Sequence, residues 1–312
     1  VTSRMLLDTA SLYFRAFFGV PEVLADDGTP VNAVRGLLDF MARLVGEYSP
    51  TELVCCWDDD WRPQWRVDLL PSYKAHRVVA EDAGPAGTDI EEVPDPLQVQ
   101  VPLIREVLDA FGIAVRGAAH YEADDIIGTL STDAGLAVDV VTGDRDLFQL
   151  VSDSAPGGPV RVLYIARGVS KHERVDEAWV EAKYAVKPHQ YADFATLRGD
   201  ASDGLPGVSG IGDKTAATLL QRFGDLDAIV AAAADPRAEM GPSPRARILA
   251  AADYLTVAPK VVAVARDVDV DRSGLATPYA PADPERLVEL AQRWNLTGSV
   301  TRLITALASA RP

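Results

Sequence analysis

The stretch that decides the fold is "VDVVTGDRDLFQLV", residues 138–151. An apolar, β-branched run stops at Gly143, Asp144 and Asp146 follow, and an apolar run resumes at helical spacing. The first run reads as a buried strand and the second as the start of a helix. A strand that turns at once into a helix is the repeating unit of an α/β fold. One aspartate at such a junction is explained as an N-cap, worth about 1 kcal/mol. Two need a further reason.

Working outward, the same unit recurs. "RMLLDT" (residues 4–9) reads as a short buried strand ending at Asp8, and residues 31–48 carry a helical apolar stripe at positions 34, 37, 38, 41, 44 and 45. "TELVCCWDDD" is a second strand that runs into Asp58, Asp59 and Asp60. Residues 78–96 are rich in Gly, Pro and acid without a sustained period, which predicts a loop. "PLQVQVPLIREVLDAFGI" predicts one helix, "IAV" a third strand, "YEADDIIGTLSTDA" a helix opening on acids, and "AVDVVT" a fourth strand before the helix that "DLFQLV" opens. The alternation predicts an α/β fold with a mostly parallel central sheet flanked by helices. Strand signals fade from about Trp179, and the Ala-rich remainder predicts a helical subdomain. The expected division is an α/β core over residues 1–178 and a helical subdomain over 179–312.

Composition narrows the class. The 312 residues are 48% apolar, enough for a buried core, and carry a net charge of −16, from 30 Lys and Arg against 46 Asp and Glu. That balance argues against a broad basic footprint for nucleic acid, although acids in one site and bases elsewhere would give the same sum. Cys55 and Cys56 are adjacent in an apolar strand with no His nearby, so they read as core thiols of a reducing, cytoplasmic setting rather than a zinc site. No apolar run approaches the roughly 18 residues of a membrane span. Asp8 interrupts any signal-peptide pattern.

Asp8, Asp58 and Asp144 each fall at the carboxyl end of a predicted strand, the edge at which open parallel sheets bind ligands. Asp146 follows two residues on, and Glu122, Asp124 and Asp125 open the helix after the third strand. Two carboxylates about 5 Å apart repel by roughly 3 kcal/mol at an effective dielectric near 20. A cluster of six or more would cost far more than capping returns, unless the acids protonate or cations sit among them. With oxygen donors alone, the expected ions are Mg²⁺ or Mn²⁺. A pair of such ions suits phosphodiester hydrolysis. His76, His120, His172 and His189 are scattered, and no Ser-His-Asp set is evident.

"GLPGVSGIGDKTA", residues 204–216, holds Gly204, Gly207, Gly210 and Gly212 before a predicted helix whose first turn carries Lys214 and Thr215. The glycines allow a tight turn and close backbone approach, and the amides of the helix start can bind a phosphate. This resembles a helix-hairpin-helix, which grips the DNA backbone without reading bases.

Together, "YEADDIIGTL", "TGDRDLFQLV", "LRGDASDGLPGVSGIGDKTA" and "PSYKAHR" closely resemble the 5′-nuclease family, which includes bacterial and phage flap endonucleases/5′-3′ exonucleases and the N-terminal nuclease domain of DNA polymerase I. The motifs run in the family's order from about Met5 to Gly224. The resemblance implies a PIN-like core and a structure-specific nuclease acting on 5′ flaps, nicked or gapped duplexes and 5′ ends of DNA, in replication and repair. It implies two or more divalent ions, Mg²⁺ or Mn²⁺, held by Asp8, Asp58, Glu122, Asp124, Asp125, Asp144, Asp146, Asp200 and Asp203. Counting back from "YK" points to Asp59 in place of Asp58. Lys74 and Arg77 would contact the scissile phosphate from an arch over about residues 72–98. A helix-hairpin-helix over about 200–224 would hold duplex through Gly207, Gly210, Gly212, Lys214 and Thr215, with a K⁺ ion on its carbonyls. The chain departs from the family in Thr9, "WDDD" and an acidic segment after Arg77. No polymerase sequence follows, so a free-standing form is expected, with a piece of a longer polymerase chain as the alternative; the further expectations are a monomer of the bacterial nucleoid, working beside a polymerase and a ligase. A PIN-type ribonuclease and a catalytically dead DNA-binding relative are the competing readings. The count of acids and the hairpin argue against the first, and acids at every matched position against the second.

Overall fold

A computed structural model describes residues 2–78 and 91–311. Its central sheet has the order β3-β2-β1-β4-β5-β6. The strands are β1 (Ser3–Asp8), β2 (Glu52–Cys56), β3 (Ala114–Arg116), β4 (Ala137–Thr142), β5 (Val160–Tyr164) and β6 (Glu173–Val175). All neighbours pair parallel except β6, which runs antiparallel to β5. The chain steps outward from β1 to β3 on one side and from β4 onward on the other. The switch point therefore lies between β1 and β4, and a parallel sheet opens its crevice there, beyond the carboxyl ends of the strands.

Parallel strands are buried on both faces, which is why they read as unbroken apolar runs. Met5 and Leu7 of β1 join one core with α2 (Asn32–Tyr48), while Leu6 joins the other with α6 (Ala123–Ser131). Cys55 and Cys56 are buried, free and divided between the same two cores. Side chains alternate along a strand, so adjacent thiols are directed to opposite faces and cannot share a site.

Three details depart from the sequence reading. The single helix expected over "PLQVQVPLIREVLDAFGI" is two, α4 (Asp95–Gln98) and α5 (Gln100–Phe111). Pro102 has no N–H to offer the Gln98 carbonyl and its ring crowds that group. "DLFQLV" forms only a short 3₁₀ helix over Asp146–Leu150, because "SDSAPGGP" breaks the chain and β5 follows directly. Three elements that the reading leaves unassigned are α1 (Thr9–Gly19), rich in aromatics, and the outer strands β5 and β6. The arch expected over 72–98 is described only in part. Residues 91–94 lead into α4, α3 (Gln64–Leu69) precedes Tyr73, and residues 79–90 lie outside the described residues.

Beyond β6 the described residues are helical: α7 (Glu177–Tyr184), α8 (Tyr191–Arg198), α9 (Asp213–Phe223), α10 (Leu226–Ala234), α11 (Pro242–Ala250), α12 (Ala252–Val262), α13 (Pro284–Arg293) and α14 (Thr297–Ser309). The first six lie toward the α6 face, whereas α14 returns to pack along α2 and α13 along α5.

The close approach of Gly128 in α6 to residues 264–265 fixes the helix that carries three candidate acids. A Cβ there would stand 2.4 Å from the Ala265 carbonyl oxygen and 2.9 Å from Val264 Cγ2. Gly128→Ala is expected to cost about 1–3 kcal/mol by overpacking, more than the gain in helix propensity of up to about 1 kcal/mol. Urea unfolding measures this, and an unchanged midpoint would refute the packing argument.

Candidate active site

Outside the carboxyl ends of β1 and β4 lies a cavity of roughly 390 Å³. Asp8, Asp58, Glu122, Asp124, Asp144 and Asp200 line it, together with Lys74, Arg77 and Arg145. Each acid is placed by an identifiable local device. Asp8 caps α1 by accepting from the Ser11 amide at 3.1 Å, and its second oxygen accepts from Thr142 Oγ1 at 2.7 Å across the switch point. Asp58 accepts from the Ala123 amide at 2.8 Å, tying β2 to α6. Asp144 accepts from the Asp146 amide at 2.8 Å. The 3₁₀ helix that follows is anchored by Phe148, whose ring lies edge-on to Tyr164, Trp179 and Tyr191 at centroid distances of 5.1, 5.4 and 5.4 Å. The capping reading of these aspartates and their role at the cavity are therefore compatible.

The structure separates the other candidates. Asp125 is fully buried behind the cavity, held by both terminal nitrogens of Arg66 at 2.8 and 2.7 Å and by the Ala265 amide at 2.8 Å. Its carboxylate has a structural partner set and does not line the cavity. Asp59 is turned toward Arg105, 3.7 Å away, while Asp58 reaches the cavity. Asp146 and Asp203 sit just behind the lining, each pushed up in pKa by burial and by neighbouring carboxylates. Asp146 Oδ1 is buried without a hydrogen-bond partner.

Arg66 and Tyr73 are neighbours of the cavity acids that sequence reasoning missed. Arg66 Nη1 donates to Glu122 at 2.6 Å and Tyr73 Oη donates to the same oxygen at 2.6 Å, while Lys74 Nζ donates to the other oxygen. Burial alone would lower the Lys74 pKa, but the adjacent Glu122 carboxylate outweighs it and holds the ammonium charged, well above its usual range. Removing one partner of a buried pair costs about 3–5 kcal/mol, so Glu122 and Arg66 are mutually dependent.

Residues 72–77 dock on the turn after α8. Lys74 occupies the left-handed region at φ 48° and donates its amide to the Asp203 carbonyl at 3.0 Å. Arg77 donates to Ser202 O at 2.6 Å and to Asp203 Oδ1 at 3.1 Å. A Cβ on Gly204 would stand 2.1 Å from the Ser72 carbonyl oxygen, so no other residue fits there.

The hairpin joins α8 to α9. Gly199 and Gly207, both at positive φ, bring the two strands of the turn into contact: a Cβ on Gly207 would stand 2.6 Å from the Arg198 carbonyl carbon. Gly212, at the N-cap of α9, has open space around it and an ordinary negative φ, and Lys214 is exposed beside it. Arg247 of α11 donates to the Gly210 carbonyl.

Among the described residues no three Asp, Glu, His or Cys side chains close on one point as a finished ion cage. The carboxylates are met by Lys74, Arg66, Arg77, Arg145, Arg198 and Thr142 instead. The donor set nevertheless fits a hard divalent ion: it is all oxygen, and it includes the unpartnered Asp146 oxygen amid like charge. Burial, with Asp58 second, pushes Asp8 up to about 7. Burial, then Asp144 and Asp8, raises Asp124 well above the usual carboxylate range.

Fold and cavity define the class: an α/β protein with an acid-lined, Lys- and Arg-gated cavity at the switch point of a mostly parallel sheet. The chain belongs to the 5′-3′ exonuclease family, whose N-terminal resolvase-like domain matches residues 3–185 and whose C-terminal SAM fold matches residues 186–285. It is 60% identical to a 5′-3′ exonuclease of Streptomyces coelicolor over 306 residues, 98% of this chain and all of that one. A 5′-3′ exonuclease of Mycobacterium tuberculosis is 52% identical over 311 residues, 97% of each chain. The fold is shared with the T5 D15 protein co-crystallised with metal ions, at a TM-score of 0.62 and 15% identity, covering 99% of both chains.

The raised carboxylates set a direction for stability. Asp8 titrates near 3.8 when unperturbed and at about 7 in the fold, so between these values the folded state holds more protons than the unfolded one. Its contribution is therefore most favourable at low pH and is lost as pH rises toward 7. In chelator, the melting temperature is expected to fall between pH 4.5 and 7.5, and Asp8→Asn to flatten that slope. Calorimetry at stepped pH reads both; a slope of opposite sign, or one that Asp8→Asn leaves intact, would contradict the assignment.

Proposed function

We propose that this chain is a structure-specific 5′ nuclease that hydrolyses DNA phosphodiesters, as a 5′-3′ exonuclease and flap endonuclease, with two or more divalent ions. The observation that carries the reading is the convergence of seven carboxylates, Glu91 among them, with Lys74 and Arg77 in one cavity, beside a glycine-rich hairpin. Asp8, Asp58, Glu122, Asp124 and Asp144, with Asp146, Asp200 and Asp203 toward the hairpin side, are the residues proposed to hold Mg²⁺ or Mn²⁺. Asp125 is left to its Arg66 pair. When bound, such ions lower the pKa of an attacking water and stabilise charge on the leaving oxygen. Lys74 and Arg77 supply fixed positive charge where a phosphate entering the cavity builds negative charge, and positioned charge of this kind acts most strongly in the transition state.

The hairpin supplies grip without chemistry. At Gly212 the open space and unstrained φ leave no internal reason for glycine, which supports close approach of an outside group such as a phosphate to the α9 amides. For K⁺ on the turn the support is the glycine-rich backbone, with the Gly210 carbonyl already shared with Arg247. A DNA substrate puts the protein at the nucleoid, beside the polymerase and ligase that act on the same ends. A monomer suffices, because the chain supplies both cavity and hairpin.

Cleavage of a 5′-labelled flap and a nicked duplex is expected in Mn²⁺ or Mg²⁺ and not in EDTA, with single-stranded RNA left intact. Asp144→Ala is expected to lose several orders of magnitude in rate while folding normally. Undiminished cleavage in chelator, or preference for RNA, would overturn the reading.

Grip and chemistry separate by mutation. Lys214→Ala is expected to weaken duplex binding by a similar factor for every sequence and to reduce the salt slope by about one unit. Lys74→Ala is expected to lower the single-turnover rate with affinity nearly unchanged. Anisotropy titrations in Ca²⁺ and rapid-quench rates in Mn²⁺ decide, and equal effects of both variants on both quantities would refute the division.

A further inference from the structure

We propose that Arg145 is an exchangeable internal counter-ion: it holds the Asp200 end of the cavity until a divalent cation displaces it, and so sets how tightly that end binds the cation. The inference rests on the proposed role of the carboxylates. It adds a residue that lies between the two aspartates of the deciding stretch.

Every bonding direction of Asp200 is taken. Oδ1 accepts from the Ser202 amide at 2.9 Å and from the Ser202 hydroxyl. Oδ2 accepts from Arg145 Nη2 at 3.3 Å and from Arg198 Nη2 at 3.3 Å. A cation can engage Asp200 only if one of these partners leaves. The two guanidinium groups are not equivalent. Arg198 has a side chain 12% exposed, donates Nε to the Gly199 carbonyl at 3.1 Å, and lies over the Phe194 ring at 5.2 Å. It is fixed in place by contacts that do not involve Asp200. Arg145 has a side chain 42% exposed, and among the described residues its guanidinium bonds to Asp200 alone. It also lines the cavity, so release moves it into open volume rather than through protein. The Asp200 side chain is 9% exposed, but an ion pair whose cation is this open to solvent is readily exchanged.

Arg198 then serves as a permanent neutralising charge and Arg145 as the removable one. Without a cation, Arg145 offsets repulsion among Asp144, Asp146 and Asp200. With one, it is freed inside a cavity that admits a phosphate. A cation that must displace a guanidinium binds with an affinity reduced by the fraction of molecules in which the pair is open.

The test is Mn²⁺ titration of the full chain without DNA, followed by the electron paramagnetic resonance signal of free Mn²⁺. Wild type is expected to bind one ion tightly and one weakly. Arg145→Gln is expected to tighten the weak class by about tenfold, the factor lost when nine-tenths of molecules carry the closed pair. The tight class should not move, and Arg145→Lys should stay within about threefold of wild type. Arg145→Met, with a melting curve for each variant, guards against a misfolded variant. An unchanged or weakened second class in both Arg145→Gln and Arg145→Met would overturn the proposal. Asp200→Asn separates the two levels. If it loses the weak class while Arg145→Gln has no effect, only the counter-ion role fails. If it keeps both classes at wild-type affinity, Asp200 holds no cation and the proposed ion site fails with it.

Discussion

Repulsion among carboxylates at the carboxyl edge of the sheet is the interaction around which this molecule is organised. Six chain segments bring acids to one cavity, and a pair about 5 Å apart costs roughly 3 kcal/mol even at an effective dielectric near 20. The fold answers with its own cations: Lys74 on Glu122, Arg66 on Glu122 and Asp125, Arg77 on Asp203, and Arg145 and Arg198 on Asp200. Burial first, and like charge after it, raises the pKa values of Asp8, Asp58, Asp124 and Asp146.

The same ion pairs join parts of the chain that are far apart in sequence. Arg66 of α3 reaches α6 and also donates to the Val261 carbonyl of α12. Arg77 reaches the 200–204 turn, and Gly204 is pressed against Ser72. The cavity wall is therefore built jointly by the α/β core and the helical region. Cavity and hairpin joined through such contacts keep a set distance from each other, which the proposed structure-specific cleavage requires.

Net charge and partner are reconciled in the same way. A chain of charge −16 repels DNA as a whole, so the proposed binding must come from local groups, for which the open α9 N-terminus at Gly212 and Lys214 are the candidates. Phosphate contacts of this kind set register and orientation without reading bases.

The parallel-sheet core was legible in residue order, because buried parallel strands must read as apolar runs and their ends must carry the turn. The sequence also marked Asp8, Asp58 and Asp144 as edge residues, and it marked the glycine hairpin, whose backbone demands leave a direct trace in residue type. The two-helix break at Pro102 and the outer strands β5 and β6 were equally local, yet were overlooked beside stronger signals. Only the tertiary structure decided between acids of identical type. Asp125 and Asp124 are neighbours on one helix turn, but Arg66 claims one and the cavity the other. Asp58 and Asp59 differ in the same manner, through Ala123 and Arg105. Nor does any local pattern announce that Arg66, Tyr73 and Arg145 meet carboxylates more than 45 residues away. Such pairings depend on which segments the fold brings within a few ångströms, and charge complementarity in sequence carries no address.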